Sequence, residues 1–280
     1  MVNFNSLKVK LKRVFFINRN MAIWNKVTQT LNANNTQQYE VVMLADKDGN
    51  ILNTSGSASN IPIASGEVSG YSHINKFGYS NDISGGVTIW DGQTVYSYST
   101  SAGTVTASSS STDDNGAQIE IQGLDSNYNV VTQTITLGDN AATDLLRIFR
   151  VKVTTPGSGQ DTNVGTITVT IGGSDRAKIL PENGQTLMCL YTIPAGKTAY
   201  LLASTISVDK NTDAIFQLFA RPFNGAWNLK GQTGTFGTPF TYQYPVPLKF
   251  EEKTDLEIRG DSGNTCGGGA MFDLIMVDNE

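Results

Sequence analysis

The sequence predicts an all-β protein: two antiparallel β-sandwich domains of jelly-roll or immunoglobulin-like type, preceded by an extended N-terminal arm. Three observations carry that prediction. Short runs rich in Val, Ile, Thr, Tyr and Phe recur from Tyr71 to the end of the chain, separated by Gly, Asp, Asn and Pro turns, the pattern of antiparallel strands rather than of strand–helix–strand units. The best stretch with a helical period, Ala141–Leu146, is only about one and a half turns. Charged residues make up 16% of the 280, while 28 glycines and many Ser, Thr and Asn supply the polar surface, which suits sheets in close contact with neighbours and equally suits an ordinary β-domain with polar loops.

Residues 1–60 read as the arm, a short hairpin and a linker. Leu7 to Lys12 alternate apolar residues with lysine, the period of a half-exposed strand. Met21 is a plausible start in its own right. Asn32 to Tyr39 is a polar linker, Glu40 to Ala45 a strand, Asp46-Lys-Asp-Gly-Asn a turn, and Ser55 to Ser59 a flexible loop before an extended piece at Ile61-Pro62-Ile63. Residues 61–173 read as the first sandwich. In it Tyr71, His73 and Asn75 alternate with Ser72, Ile74 and Lys76 ahead of the Asn81-to-Gly86 turn, and seven strands follow between Val87 and Ile171. Gly172-Gly173-Ser174-Asp175 reads as a seam. Residues 174–280 then form a second, jelly-roll-like sandwich, with Pro245 and Pro247 at an edge or corner.

Composition also narrows the function. Lys8, Lys10, Lys12, Arg13, Arg19 and Lys26 sit in residues 1–30 without an acid, and residues 31–280 hold 14 bases and 25 acids, a net charge of −11. An acidic body repels free nucleic acid, so no sequence-specific nucleic-acid partner is expected, whereas the basic arm can meet an acidic surface. No apolar run approaches the roughly 20 residues of a membrane span. Cys189 and Cys266 lack metal-ligand spacing and read as free thiols of a reducing compartment.

Catalytic patterns are weak. His73 is the sole histidine and has no serine elbow beside it, so it reads as a core or turn residue bonded to backbone. The Asp46 turn lacks the closing glutamate of a calcium loop, and the glycine clusters lack the lysine and helix of a phosphate cradle. Carboxylates suited to glycoside hydrolysis are not singled out by spacing. No catalytic residue, metal or cofactor is expected. The candidate contact residues are Lys8, Lys10, Lys12, Arg13 and Trp24 for a protein partner. Trp227, Tyr242 and Tyr244, like Tyr96 and Tyr98, can stack on sugar rings or fill cores and subunit contacts.

Seven segments occur in a fixed order: Gly70-Tyr-Ser-His-Ile-Asn-Lys-Phe-Gly-Tyr, Trp90-Asp-Gly, Gln122-Gly-Leu-Asp-Ser-Asn-Tyr-Asn, Leu146-Arg-Ile-Phe-Arg, Asn163-Val-Gly-Thr-Ile-Thr-Val, Gly184-Gln-Thr-Leu-Met-Cys-Leu-Tyr-Thr-Ile-Pro-Ala-Gly-Lys, and Lys253-Thr-Asp-Leu-Glu-Ile-Arg. As an ordered set over about residues 60–280 they resemble virion structural proteins of tailed bacteriophages, especially marine ones. Residues 1–20 have no counterpart in that resemblance. It implies a non-enzymatic virion protein made in the host cytoplasm, with capsid or other virion proteins as partners. The expected role is a capsid decoration, cement or head-fibre subunit acting as a homo-oligomer, a trimer by preference. The alternative is a tail-associated adaptor or a receptor- or glycan-binding protein.

Overall fold

The computed structural model describes residues 61–209 and 212–279 with side chains, and the backbone of 10–15, 23–29, 39–45 and 51–52. The chain divides into two compact units, Met1–Ser69 and Gly70–Glu280. In the first, β1 (Lys10–Phe15), β2 (Ile23–Gln29), β3 (Tyr39–Ala45) and β4 (Ile51–Leu52) form an antiparallel sheet in chain order. Where an extended arm is expected, the described backbone is therefore sheet, with Lys10 opposite Thr28 and Phe15 opposite Trp24. Lys8, the Asp46 turn and the Ser55 loop lie outside the described residues. Ile61-Pro62-Ile63, expected to be extended, opens a one-turn helix, α1 (Ile61–Ala64). Proline's fixed φ suits a helix's first turn, and the amides of Ser65 and Glu67 bond back to the Ile61 and Pro62 carbonyls at 2.8 Å.

The second unit is built of antiparallel strands as the sequence predicts. They are β5 (Tyr71–Ser80), β6 (Val87–Thr88), β7 (Val105–Ser109), β8 (Gln118–Leu124), β9 (Val130–Thr136), β10 (Arg147–Thr155), β11 (Ile167–Ile171), β12 (Ser174–Ile179), β13 (Leu190–Thr192), β14 (Lys197–Val208), β15 (Asp213–Arg221), β16 (Asn228–Phe236), β17 (Phe240–Phe250), β18 (Asp255–Ser262) and β19 (Gly268–Asp278). Ala141–Leu146 is not helical; it leads directly into β10. Among the described residues no helix is long and apolar enough to cross a membrane.

Two hydrophobic cores organise these strands. Sheets β12-β11-β7 and β10-β8-β9 supply one, around Ile119, Ile121, Ile148, Ile167 and Val169. Sheets β17-β14-β19-β5 and β13-β18-β15-β16, with β6 on β18, supply the other, around Phe216, Leu201, Ile258, Phe272 and Leu274. Period-2 burial along β11 and β15 shows the cause: Ile167, Val169 and Ile171 point one way and their threonines the other. The second core draws on both ends of the unit, β5 and β6 from its start and β13 to β19 from its end. The sandwich between them is an insertion, entered at Trp90 and left at Met188, which form an antiparallel bridge. Gly172 and Gly173, where a seam is expected, are the turn of the β11–β12 hairpin. Both have positive φ, +56° and +79°, and Ile171 pairs with Ser174 across them.

The insertion is fastened closely. A Cβ on Gly78 of β5 would lie 2.4 Å from the Cys189 amide nitrogen and 2.5 Å from the Ile89 carbonyl oxygen, so only glycine lets β5 pass the entry and exit strands. Lys76, two residues earlier, is buried; its ammonium donates to the Phe149 carbonyl of the inserted sandwich. Burial pushes its pKa down to about 7.

Asp91, at the entry, is also buried. Its Oδ2 accepts from the Leu187 amide at 2.7 Å while Oδ1 has no partner. Burial lifts its pKa from 3.8 to about 7. Over that interval the unfolded chain gives up the proton that the folded protein keeps, so this group's contribution to stability falls as pH rises from about 4 to about 7. Asp91→Asn keeps an acceptor for Leu187. The variant is expected to gain about 4 kcal/mol over wild type at pH 8 and nothing at pH 4, measured as paired urea-unfolding curves; Lys76 titrates in both proteins and cancels in the difference.

Candidate functional site

Strand alternation sorts β18 into two faces. Leu256 and Ile258 enter the core of the outer sandwich, whereas Asp255, Glu257 and Arg259 face the other way, toward the inserted one. Register then sets their neighbours: Asp255 lies opposite Arg221 of β15 and Thr192 of β13, and Glu257 lies opposite Phe219. Onto this row the inserted sandwich lowers Tyr98 and Arg147.

Asp255 is the centre of the resulting network. Its Oδ1 accepts from Arg147 Nε at 3.0 Å and from the Thr192 hydroxyl. Its Oδ2 accepts from Arg147 Nη2 at 3.3 Å and from Arg221 Nε at 3.0 Å and Nη2 at 2.6 Å. Arg147, itself buried, spends Nη1 on the Ser99 and Leu146 carbonyls. Glu257 is fully buried, paired with Arg259 and bonded by the Tyr98 hydroxyl at 3.1 Å. Burial raises the pKa of Glu257 and of Tyr98 above their ordinary values, and Glu257 adds to the rise at Tyr98.

The cations alternate with rings in a ladder. Arg259 lies 4.7 Å from the Phe219 ring centre and 5.6 Å from that of Trp227. Arg221 lies 4.8 Å from Trp227 and 4.9 Å from Tyr98, and Arg147 5.2 Å from Tyr98 and 5.8 Å from Tyr128. Lys253 follows at 5.7 Å from Tyr128 and 5.1 Å from Phe223. Each cation thus meets two π-faces, an attraction that strengthens as water is excluded. Trp227 belongs to this ladder.

Tyr242 and Tyr244 lie elsewhere, two apart on one face of β17 with rings 4.7 Å apart and nearly perpendicular. They line a groove of about 290 Å³ between β16 and β17, whose wall includes Phe216, Leu218, Lys230 and Gln232. Tyr244 is half-buried, and burial raises its hydroxyl pKa. Both strands are sheet edges, and both are exposed along most of their length. Leu229, Phe236, Phe240, Tyr242 and Val246 stand open to solvent, Val246 at 79%. Val246 sits on a bulge, since β17 runs from Gln243 to Leu248 while β14 advances only from Ala203 to Leu201. Pro245 and Pro247 on that bulge remove two backbone donors, which limits indiscriminate edge pairing.

The remaining sequence candidates fall into place differently. Lys10, Lys12 and Arg13 lie in β1 and Trp24 in β2, where the backbone alone is described. His73 is not a core residue. Its half-exposed imidazole is 3.0 Å from Asp273 Oδ1, which also accepts from Asn75 at 2.8 Å, because the β5–β19 register sets Asn75 opposite Asp273. Cys189 and Cys266 are free, as expected, and both are buried. Asp114, in the turn before β8, holds the Val164 and Gly165 amides at 2.7 and 2.9 Å. Among the described residues no group of three or more His, Cys, Asp or Glu side chains is placed to hold a metal.

No protein-family model and no curated protein matches the sequence. Among solved structures, the chain is similar to proteins of infectious bursal disease virus. One is from the Gt strain, at 11% identity and a TM-score of 0.21, covering 99% of this chain and 75% of that one. Another is from T=1 particles derived from the virus, at 12% identity and a TM-score of 0.23, covering 95% and 64%. Likeness at that TM-score carries no argument about this chain.

Removing Arg147 leaves Asp255 buried with a single cation, whereas removing Trp227 opens only one rung. Arg147→Met is expected to cost about 3–5 kcal/mol and Trp227→Ala about 1–2 kcal/mol, read from urea-unfolding midpoints at neutral pH.

Proposed function

We propose that the chain is a non-enzymatic virion structural protein, a capsid-associated decoration, cement or head-fibre subunit that joins its neighbours through exposed sheet edges and its basic N-terminal segment. One observation carries this reading: β16 and β17 present large apolar side chains on two free edges of a sandwich that is otherwise well filled. A monomer gains nothing from leaving Phe236 and Val246 in water, whereas a neighbouring subunit buries them. The ordered motifs resembling tailed-phage virion proteins support the same assignment, and so does the small share of charged residues. Assembly proceeds by burial of surface between copies, a trimer by preference, and between the subunit and an acidic shell. On this reading the protein is made in the host cytoplasm and carried on the particle.

A second reading, a tail-associated adaptor or receptor- or glycan-binding subunit, draws on the paired rings of Tyr242 and Tyr244 above their groove. The two readings separate in one set of measurements. Sedimentation velocity of the full-length protein is expected to show an oligomer that the double variant Phe236→Lys/Val246→Lys converts to monomer, with a parallel loss of binding to empty capsids. Deletion of residues 1–30 is expected to weaken capsid binding as well. An unchanged oligomer and undiminished capsid binding in the edge variant, together with a positive glycan array that Tyr242→Ala abolishes, would replace the first reading with the second.

A further inference from the structure

The Lys253 end of the ladder opens into a pocket of about 300 Å³, bounded by Tyr98–Thr100, Tyr128, the loop from Pro222 to Gly225, and Lys253. We propose that this pocket binds a carboxylate-bearing sugar of the hexuronate class. The proposal stands apart from the virion reading and from the Tyr242 groove.

The charge of the lining favours an anion. Arg147, Arg221 and Lys253 line the pocket together with one carboxylate, Asp255. Both oxygens of Asp255 are already engaged by Arg147, Arg221 and Thr192. The flanking acids are turned to other partners: Glu251 pairs with Lys249, and Glu252 accepts from the Gly196 amide. Lys253 has no ion-pair partner among the described residues; its ammonium faces only the Tyr128 and Phe223 rings. The pocket therefore holds two positive charges in excess, on a body whose residues 31–280 carry a net −11. Such a site favours a single anionic group.

Shape selects which anion. A volume of about 300 Å³ sits at the small end of ligand pockets, room for one pyranose rather than a chain segment. The Tyr128 and Phe223 rings meet edge to face, 5.8 Å apart, and Phe223 is 51% exposed. An exposed ring beside the Lys253 ammonium suits a ligand that carries both an apolar C–H face for the ring and a carboxylate for the cation. A bare phosphate would use the charge and leave the rings uncovered.

Backbone conformation is independent of both. Five non-glycine residues among those described have left-handed φ, and three of them line this pocket: Tyr128 at +66°, Asn224 at +56° and Lys253 at +60°. Tyr and Lys pay for that conformation. Here it is imposed by the chain on either side, the Tyr128 carbonyl accepting from Ala195 and the Lys253 amide donating to Ile193. Strain gathered at one pocket marks a place where side-chain aim is held against local preference.

The test is isothermal titration calorimetry of the full-length protein at low ionic strength with sodium galacturonate, galactose and inorganic phosphate. Galacturonate is expected to bind saturably and galactose about tenfold more weakly or not at all. Lys253→Asn, which tolerates the left-handed backbone, should lose about tenfold in affinity, the scale of one charge-assisted contact, with the fold retained as read from an unchanged far-UV circular dichroism spectrum. Phe223→Ala, at an exposed loop position, is the second variant and should weaken galacturonate while leaving any phosphate response alone. The proposal is overturned by the absence of saturable galacturonate binding, by equal binding of galactose, by phosphate binding more tightly than galacturonate, or by both variants retaining wild-type affinity.

Discussion

The carboxylate of Asp255 is where the two sandwiches become one body. Taking it out of water costs several kcal/mol unless its lone pairs are filled, and here they are filled from both sides, by Arg221 and Thr192 of the outer sandwich and by Arg147 of the inserted one. Neither sandwich alone completes the site. Arg147 without Asp255 would be a buried, unanswered cation, and Asp255 without Arg147 would keep one guanidinium for two oxygens. The mutual need fixes the insertion's position as firmly as apolar burial does, and it fixes direction too, since a bidentate fork admits one geometry.

That constraint explains where the free surface lies. The outer face of sheet β13-β18-β15-β16 is occupied by charges that answer Tyr98 and Arg147, so it is spent on internal packing near β18 and β15. Beyond Trp227, which packs on Tyr98, β16 runs out with Leu229 and Phe236 uncovered. β17 continues the same uncovered region on the facing sheet. Leu229, Phe236, Phe240, Tyr242 and Val246 are therefore exposed along two neighbouring edges, while Asp255, Glu257 and Arg259 lie inside the sheet on β18.

The sequence made the all-β class legible because β-branched alternation and Gly/Asp/Asn turns are local signals, and the strands at β7 to β11 and β14 to β19 fall close to the runs that carry them. The insertion was not legible. Strands β5 and β6 pair with β19 and β18, between 171 and 206 residues away, and a pairing at that range leaves no mark in local periodicity; a glycine pair at 172–173 looks the same at a domain seam and in a hairpin. Trp227 and Tyr98 are legible as candidate aromatics, but the charges between them are not, because Asp255-Leu-Glu-Ile-Arg has the alternation of a strand with one wet face. Only the second sandwich resting on that face turns those charges into a buried network. The one available hint was compositional: in a chain with few charges, Arg147, Asp255, Glu257 and Arg259 lie inside the ordered motifs, which converge on this junction.

Amide hydrogen exchange on Asp255→Asn bears most directly on whether the shared carboxylate joins the two sandwiches. If it does, protection falls together in β10 of the inserted sandwich and in β13, β15 and β18 of the outer one, while the edge strands β16 and β17 change little. Loss of protection confined to one sandwich, with the other at wild-type levels, would show that each holds its place without the carboxylate and would contradict the claim.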